Sequence, residues 1–432
     1  MRNIFDRAVA RAGSRTIALA AATTLLGAVG CSDILEVELP GRIPSELLGD
    51  PSTAPTLAAS VVSDFECAYS NYVATTSTLS DHFLGASGNL NAKNWGTKKI
   101  YEDDTANEQT GCVNSYGAYT PLQTARFQAD DVLMRLQAWT DEEAKVALAP
   151  MRARVAVFGS YAYTLLGEGF CAMRFDEEQG ILTPAEVLER AEAKFDAALA
   201  LVALMPAGAP KTELENLARV GRARVRLDRG NNAGAAADAA LVAPGFEFFV
   251  TRSVDAATRW NDAWYAIAEL GHASVDPKYR NLTVGGVPDP RVAVAAGPDA
   301  GLGELSFDGV TDLYVVTNKN FSRADPMRLA SYVEAQLIRA EALGGAEAVA
   351  IINARRSQLQ LPQYTGPTDA ASVDALVLDE RSRELFMEGG HRFNDLLRNN
   401  IPWKVGNDQN GVPYGTTTCM PLPKSERIAA GG

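Results

Sequence analysis

From Thr120 to about Ala243, apolar residues recur at three- and four-residue spacing along the runs 130–139, 142–166, 184–204, 214–227 and 233–241. That period predicts amphipathic helices. Thr183-Pro184-Ala185-Glu186 marks one start clearly, with an N-cap threonine, a proline at the first helical position and an early acid. The pattern returns over 326–398. Pro326 opens a run with Leu329, Val333, Leu337 and Ala340 on one face, and Gly344-Gly345 ends it. The helices come in pairs around glycine turns, with inner faces rich in small residues. Ala218, Gly221 and Val225 precede Asp228-Arg229-Gly230-Asn231, and Ala233 to Ala240 follow. Small residues let helices pack closely, and stacked helix pairs are the plan of tetratricopeptide-type solenoids, although no strict repeat period is present here.

Between these zones the periodicity fades. Residues 31–118 are rich in Ser, Thr, Asn, Gly and Asp, with a helical stretch near 54–64 and a polar passage from Ser77 to Gly117. Residues 244–325 read as loops and short strands, with a turn cluster at Val287-Pro288-Asp289-Pro290-Arg291 and strand composition at Leu313 to Thr317. The expected fold is mostly α, with degenerate tetratricopeptide-like helix pairs, a loop-rich ligand lobe and a few short strands. The helical scaffold falls mainly at 119–243 and 326–398, and the lobe mainly at 65–118 and 244–325.

The first thirty residues read differently from the rest. Arg2, Arg7, Arg11 and Arg15 against Asp6 give a positive start, and Thr16 to Gly30 then runs without a charge. A basic segment followed by a short apolar one is a secretory signal, too short to serve as a membrane span. Ala28-Val29-Gly30-Cys31 resembles a bacterial lipobox, which implies cleavage before Cys31 and lipid attachment there. The expectation is a signal peptide over 1–30 and one domain over 31–432 held on a membrane by acyl chains, since several chains anchor stably where one does not.

Charge then narrows the partners. The 432-residue chain carries 53 acids against 40 bases, a formal charge of −13, and losing the basic leader takes the body to about −16. A nucleic-acid binder needs the opposite balance. Three histidines, His82, His272 and His391, leave few metal ligands or general bases. Beyond Cys31, the four cysteines Cys67, Cys112, Cys171 and Cys419 read as two disulfides in an exported protein, with three possible connectivities; Cys67–Cys112 with Cys171–Cys419 is the expected one because the first pair brackets one loop-rich segment. No G-x-S-x-G, H-E-x-x-H or P-loop string occurs. No cofactor is expected. No C-x-x-C pattern supports a zinc site, and Asp176-Glu177-Glu178, which could hold a calcium ion, lacks the alternating ligands of an EF-hand.

Longer motifs suggest a family. Residues 325–362 (DPMRLASYVEAQLIRAEALGGAEAVAIINARRSQLQLP) resemble a helix pair of SusD/RagB-family outer-membrane nutrient-binding lipoproteins. Residues 378–399 (LDERSRELFMEGGHRFNDLLRN) resemble the same family at Glu380, Arg381, Arg383, Glu384, Leu385, Glu388, Gly389, Arg392, Asp395, Leu396 and Arg398. Asp289-Pro290-Arg291 and Met420-Pro421-Leu422-Pro423 with Glu426 are similar to further family signatures. The resemblance implies a surface lipoprotein of the cell outer membrane that binds a nutrient and passes it to a SusC-like TonB-dependent transporter, with no chemistry of its own. Glu384 and Glu388 fit an acid–base pair on paper, but acids interleaved with arginines at helical spacing point to salt bridges.

Sugars present flat apolar faces edged by hydroxyls, so glycan sites combine exposed rings with amides and charges. The candidate ligand-binding residues are therefore Asn94, Trp95 and Tyr101 in a polar segment, Trp260 and Trp264 in RWNDAWY, and Tyr279. Trp95 is expected to be exposed, because its neighbours are polar on both sides. The ligand is expected to be a glycan or oligosaccharide, or else a peptide. The competing readings are a secreted carbohydrate-active hydrolase and a helical-repeat scaffold for envelope proteins.

Overall fold

The computed structural model describes residues 47–108, 111–112, 116–176 and 180–429. The leader, Cys31, Glu177 and Glu178 lie outside them. Residues 51–432 gather into one unit, distinct from the segment that ends at Asp50, and all that follows concerns that unit. Its α-helices longer than a single turn are α1 (Ala54–Leu79), α2 (Leu90–Gly96), α3 (Tyr119–Ala138), α4 (Ala149–Gly169), α5 (Pro184–Ala203), α6 (Ala209–Asp228), α7 (Asn232–Ala240), α8 (Tyr332–Leu343), α9 (Gly345–Gln358), α10 (Ala370–Glu384), α11 (His391–Arg398) and α12 (Lys424–Ala429).

The scaffold follows from the alanine- and glycine-rich faces. Helix α4 packs against α3 and α5, α6 against α5 and α7, α8 against α7 and α9, and α9 against α10. Gly221 shows why small residues were needed. A Cβ there would sit 2.2 Å from the Phe195 ring and 2.9 Å from that of Tyr161, so α6 approaches α4 and α5 only with hydrogen at this position. Thr183 caps α5 as a capping box with Glu186. The run expected from Glu142 divides in two. A single turn at Asp141–Ala144 is capped by Thr140, Lys145 takes the left-handed conformation (φ 57°), and α4 starts afresh at Ala149.

The strands are short antiparallel pairs: β1 (Phe83–Gly85) with β3 (Ala273–Val275), β2 (Glu247–Val250) with β8 (Met327–Ser331), β4 (Thr283–Val284) with β5 (Val287–Pro288), and β6 (Val294–Ala296) with β7 (Tyr314–Val316). The helix expected to open at Pro326 instead begins at Tyr332. Residues 327–331 form β8, and the Ser331 side chain caps α8 by accepting from the Glu334 N–H at 3.0 Å. Two disulfides fasten the body. Cys67 on α1 is bonded to Cys112, and Cys171 at the end of α4 to Cys419 near the C-terminus, with Cα separations of 5.5 and 5.2 Å.

The charged motif of 378–399 lies inside the scaffold. Arg224 forks onto Glu168 (2.6 Å) and donates to the Gly389 carbonyl (2.6 Å), Arg381 pairs with Asp395 (2.9 Å), and Arg398 reaches Glu341 (2.5 Å) and Asp228 (3.3 Å). Glu384 is held by Arg355 (2.6 Å) and Glu388 by Lys319 (2.8 Å). These forks bind α4, α6, α8, α10 and α11 to one another, which is the structural role the alternating charges suggested.

Candidate functional site

The lobe is organised around the second half of α1 and a seven-residue π-helix, Ala263–Glu269, that packs on it. Such helices are rare and occur often at functional sites. The segment entering it is tightly fixed. The Asn261 N–H donates to the Arg323 carbonyl (2.9 Å), and its side-chain amide to Asn320 Oδ1 (2.9 Å) and the Asp325 carbonyl (3.1 Å). The Asp262 N–H donates to Ser70 Oγ (2.8 Å), while Ser70 Oγ and Arg252 Nη1 each donate to the Trp260 carbonyl at 3.2 Å.

What this frame holds in place is a half-exposed aromatic pair. The Trp260 and Tyr265 rings lie 4.9 Å apart, tilted by 53°. The Arg323 guanidinium carbon stands 3.9 Å from the Trp260 ring centre and 5.0 Å from that of Tyr265. Glu269 grips Arg323 through Nε (2.7 Å), and this hydrogen bond holds the Glu269 carboxyl below its ordinary range. The result is a rigid surface of two ring edges, a planar cation and a carboxylate, offering apolar contact together with donors and acceptors.

The structure distributes the six sequence candidates unevenly. Trp260 lies in this pair and Tyr101 is 59% exposed elsewhere on the lobe, whereas Asn94 is half-buried. Trp95 is 0% exposed, which overturns its expected exposure. Asn89 caps α2 through the Asn91 and Ala92 N–H groups, and Gly96 meets Gly85 so closely that a Cβ would lie 2.6 Å from its Cα. That contact presses α2 onto β1 and turns Trp95 inward. Trp264, on the same π-helix as Tyr265, is 9% exposed and packs against Phe321, Leu313 and Val315 in the core of the lobe. Tyr279 is 4% exposed and packs edge-on against His82 and Phe386. Neither offers a ring face to a ligand.

Arg323 and Glu269 were missed by sequence reasoning. Arg323 lies more than sixty residues beyond Trp260 in a loop with no motif, so only the fold brings it there. Phe307, 56% exposed, was missed as well. It packs edge-on against His272, which burial holds down at about 4, and the hydrogen bond between His272 Nδ1 and Ser87 Oγ is 2.9 Å. Among the described residues no group of three or more His, Cys, Asp or Glu is placed to hold a metal ion. Asp176 is taken up by Arg126 at 2.6 Å. Nor is any described helix long and apolar enough to cross a membrane.

No protein-family model matches the chain, and no curated protein matches it. Solved structures do match. The chain is similar to a SusD-like carbohydrate binding protein from Bacteroides vulgatus ATCC 8482, with a TM-score of 0.64 and 13% identity over 88% of this chain and 97% of that one. It is similar to a SusD homolog from Bacteroides thetaiotaomicron VPI-5482, with a TM-score of 0.63 and 16% identity over 90% and 97%. It is also similar to surface glycan-binding protein A from Bacteroides thetaiotaomicron, solved in complex with laminarihexaose, with a TM-score of 0.62 and 14% identity over 87% and 97%. At such identities the likeness is one of fold, and it extends over nearly the whole of each neighbour. The fold is SusD-like.

Proposed function

We propose that this protein is a non-enzymatic glycan-binding lipoprotein of the outer-membrane surface, which captures an oligosaccharide on the Trp260–Tyr265 pair and passes it to a TonB-dependent transporter. The observation that carries this reading is the half-exposed pair itself, backed by Arg323 and Glu269 and set in a lobe built from loops. The ring edges supply apolar contact for a sugar, while the guanidinium and carboxylate orient its hydroxyls. The fold likeness to proteins whose names speak of carbohydrate or glycan supports the same reading. The anchor rests on Cys31 and its lipobox, and the transporter on the family resemblance of 325–362 and 378–399.

Native electrophoresis through gels containing single polysaccharides tests the binding step. Wild-type protein is expected to be retarded by at least one of a panel of plant, fungal and algal glycans, and Trp260→Ala to migrate as in a blank gel. Equal retardation of both proteins would remove the pair from the site.

A further inference from the structure

The loop that brings Arg323 to Trp260 has a second side. There it walls a cleft of about 290 Å³ lined by Phe249, Asn318, Lys319, Asp325, Arg328 and Glu388. The two places are joined by short links. Asn261, next to Trp260, hydrogen-bonds Asn320 and Asp325, and Arg252, three residues after Phe249 along the chain, donates to the Trp260 carbonyl. Phe249 is 38% exposed. A bulge between Phe248 and Phe249 interrupts the register of β2 on β8, and the Arg328 guanidinium carbon lies 5.7 Å from the Phe249 ring centre. Bulges of this kind re-aim side chains beside functional sites.

The floor of the cleft is strained. Asn320 (φ 49°) donates to the carbonyl of Met387 (φ 58°), a bulky residue in the left-handed region, directly before Glu388. Backbone in this region is costly and clusters where ligands are held. The charges in the cleft are matched. Lys319 pairs with Glu388 at 2.8 Å, and Arg328 with Glu247 at 3.1 Å and Glu388 at 3.6 Å. Asp325 spends its carboxylate on the Phe321 N–H (2.6 Å) and Ser322 Oγ (2.7 Å). No surplus cation remains there to meet a carboxylate or sulfate, and Arg323 is likewise matched by Glu269.

We propose that this cleft is a second sugar subsite, reached from the Trp260–Tyr265 pair across the loop that carries Arg323, so that the protein takes an extended, uncharged oligosaccharide rather than a single sugar or an acidic chain. The inference rests on the reading of that pair as a sugar platform. Phe249 stacks against one ring of the chain, while the matched charges of Lys319, Arg328 and Glu388 serve as donors and acceptors for hydroxyls.

Calorimetry on the mature protein decides, using laminari-, cello- and manno-oligosaccharides from disaccharide to hexasaccharide, with oligogalacturonates as the acidic series. Affinity for the preferred neutral series is expected to rise with length. Phe249→Ala should weaken hexasaccharide binding about tenfold, the scale of an anchoring ring, and disaccharide binding little, with an unchanged melting temperature. Trp260→Ala should weaken both. If Phe249→Ala keeps the wild-type hexasaccharide affinity while Trp260→Ala abolishes it, the platform stands and the cleft is refuted. If Trp260→Ala binds like wild type, or no sugar of the panel binds, the parent reading falls and the cleft with it. An oligogalacturonate bound as tightly as its neutral counterpart would overturn the preference for uncharged chains.

Discussion

Trp95 fills a closed space between α2 and β1, and Trp260 is half-buried beside Arg323. Both sit in polar stretches of sequence, so local composition does not distinguish them. Exposure is decided by the phase of a short helix and by the Gly85–Gly96 contact for Trp95, and by a chain reversal that delivers Arg323 for Trp260. Trp95→Ala is therefore expected to open a cavity costing about 3–5 kcal/mol, read as a lower urea midpoint, without selective loss of ligand. A variant that melts like wild type and binds no sugar would return Trp95 to the site. Of the residues that form the platform, Trp260 was legible in RWNDAWY, where Trp264 rather than Tyr265 was the second ring expected at the site. Arg323 and Glu269 were not, since a guanidinium over a ring is a long-range contact with no local pattern.

At the scale of elements, the helix pairs were legible because their signals are local: spacing, caps, glycine turns and small inner faces. Short strands were less so. Residues 327–331 become β8 because β2, some eighty residues earlier, offers them an edge, and Ser331 then caps the helix that follows. The buried charges between helices carry a consequence for pH. Burial raises the Glu334 carboxyl to about 7, with Arg224 and Arg381 opposing the rise and Glu388 adding to it. Its Oε1 lies 3.5 Å from Nε2 of His391, whose own ring is held neutral by burial and by Arg224, Arg381 and Arg398. The folded state thus keeps a proton that the unfolded chain, with an ordinary carboxyl at 4.5, has released. Stability from this group is complete below about pH 4.5 and lost as pH rises towards 7, a change on the order of 3 kcal/mol. Glu334→Gln, which cannot ionise, should match wild type near pH 4.5 and exceed it at pH 8 in urea denaturation. Parallel pH profiles for the two proteins would show that Glu334 is ionised in the folded state.

The whole molecule joins an acidic body to an expected lipid tether. If the leader is removed as proposed, the charge falls to about −16, which would favour neutral polymers over polyanions as ligands. Cys31→Ser should accordingly shift the protein from the membrane fraction to the soluble fraction with its fold and sugar binding intact. Unchanged fractionation would mean that something other than a lipid on Cys31 holds it. The architecture was legible at this scale from the helix pairs and the 378–399 motif, whereas the position of the site within the lobe depended on contacts between segments remote in sequence. If a glycan rests on Trp260 and Tyr265, loss of the indole should remove most of its affinity. Isothermal titration of the best-bound oligosaccharide into wild type and Trp260→Ala, alongside thermal melts of both, tests it most directly. At least a tenfold loss of affinity is expected, as for an anchoring aromatic, with little change in melting temperature. Affinity equal to wild type in a folded Trp260→Ala protein would contradict it.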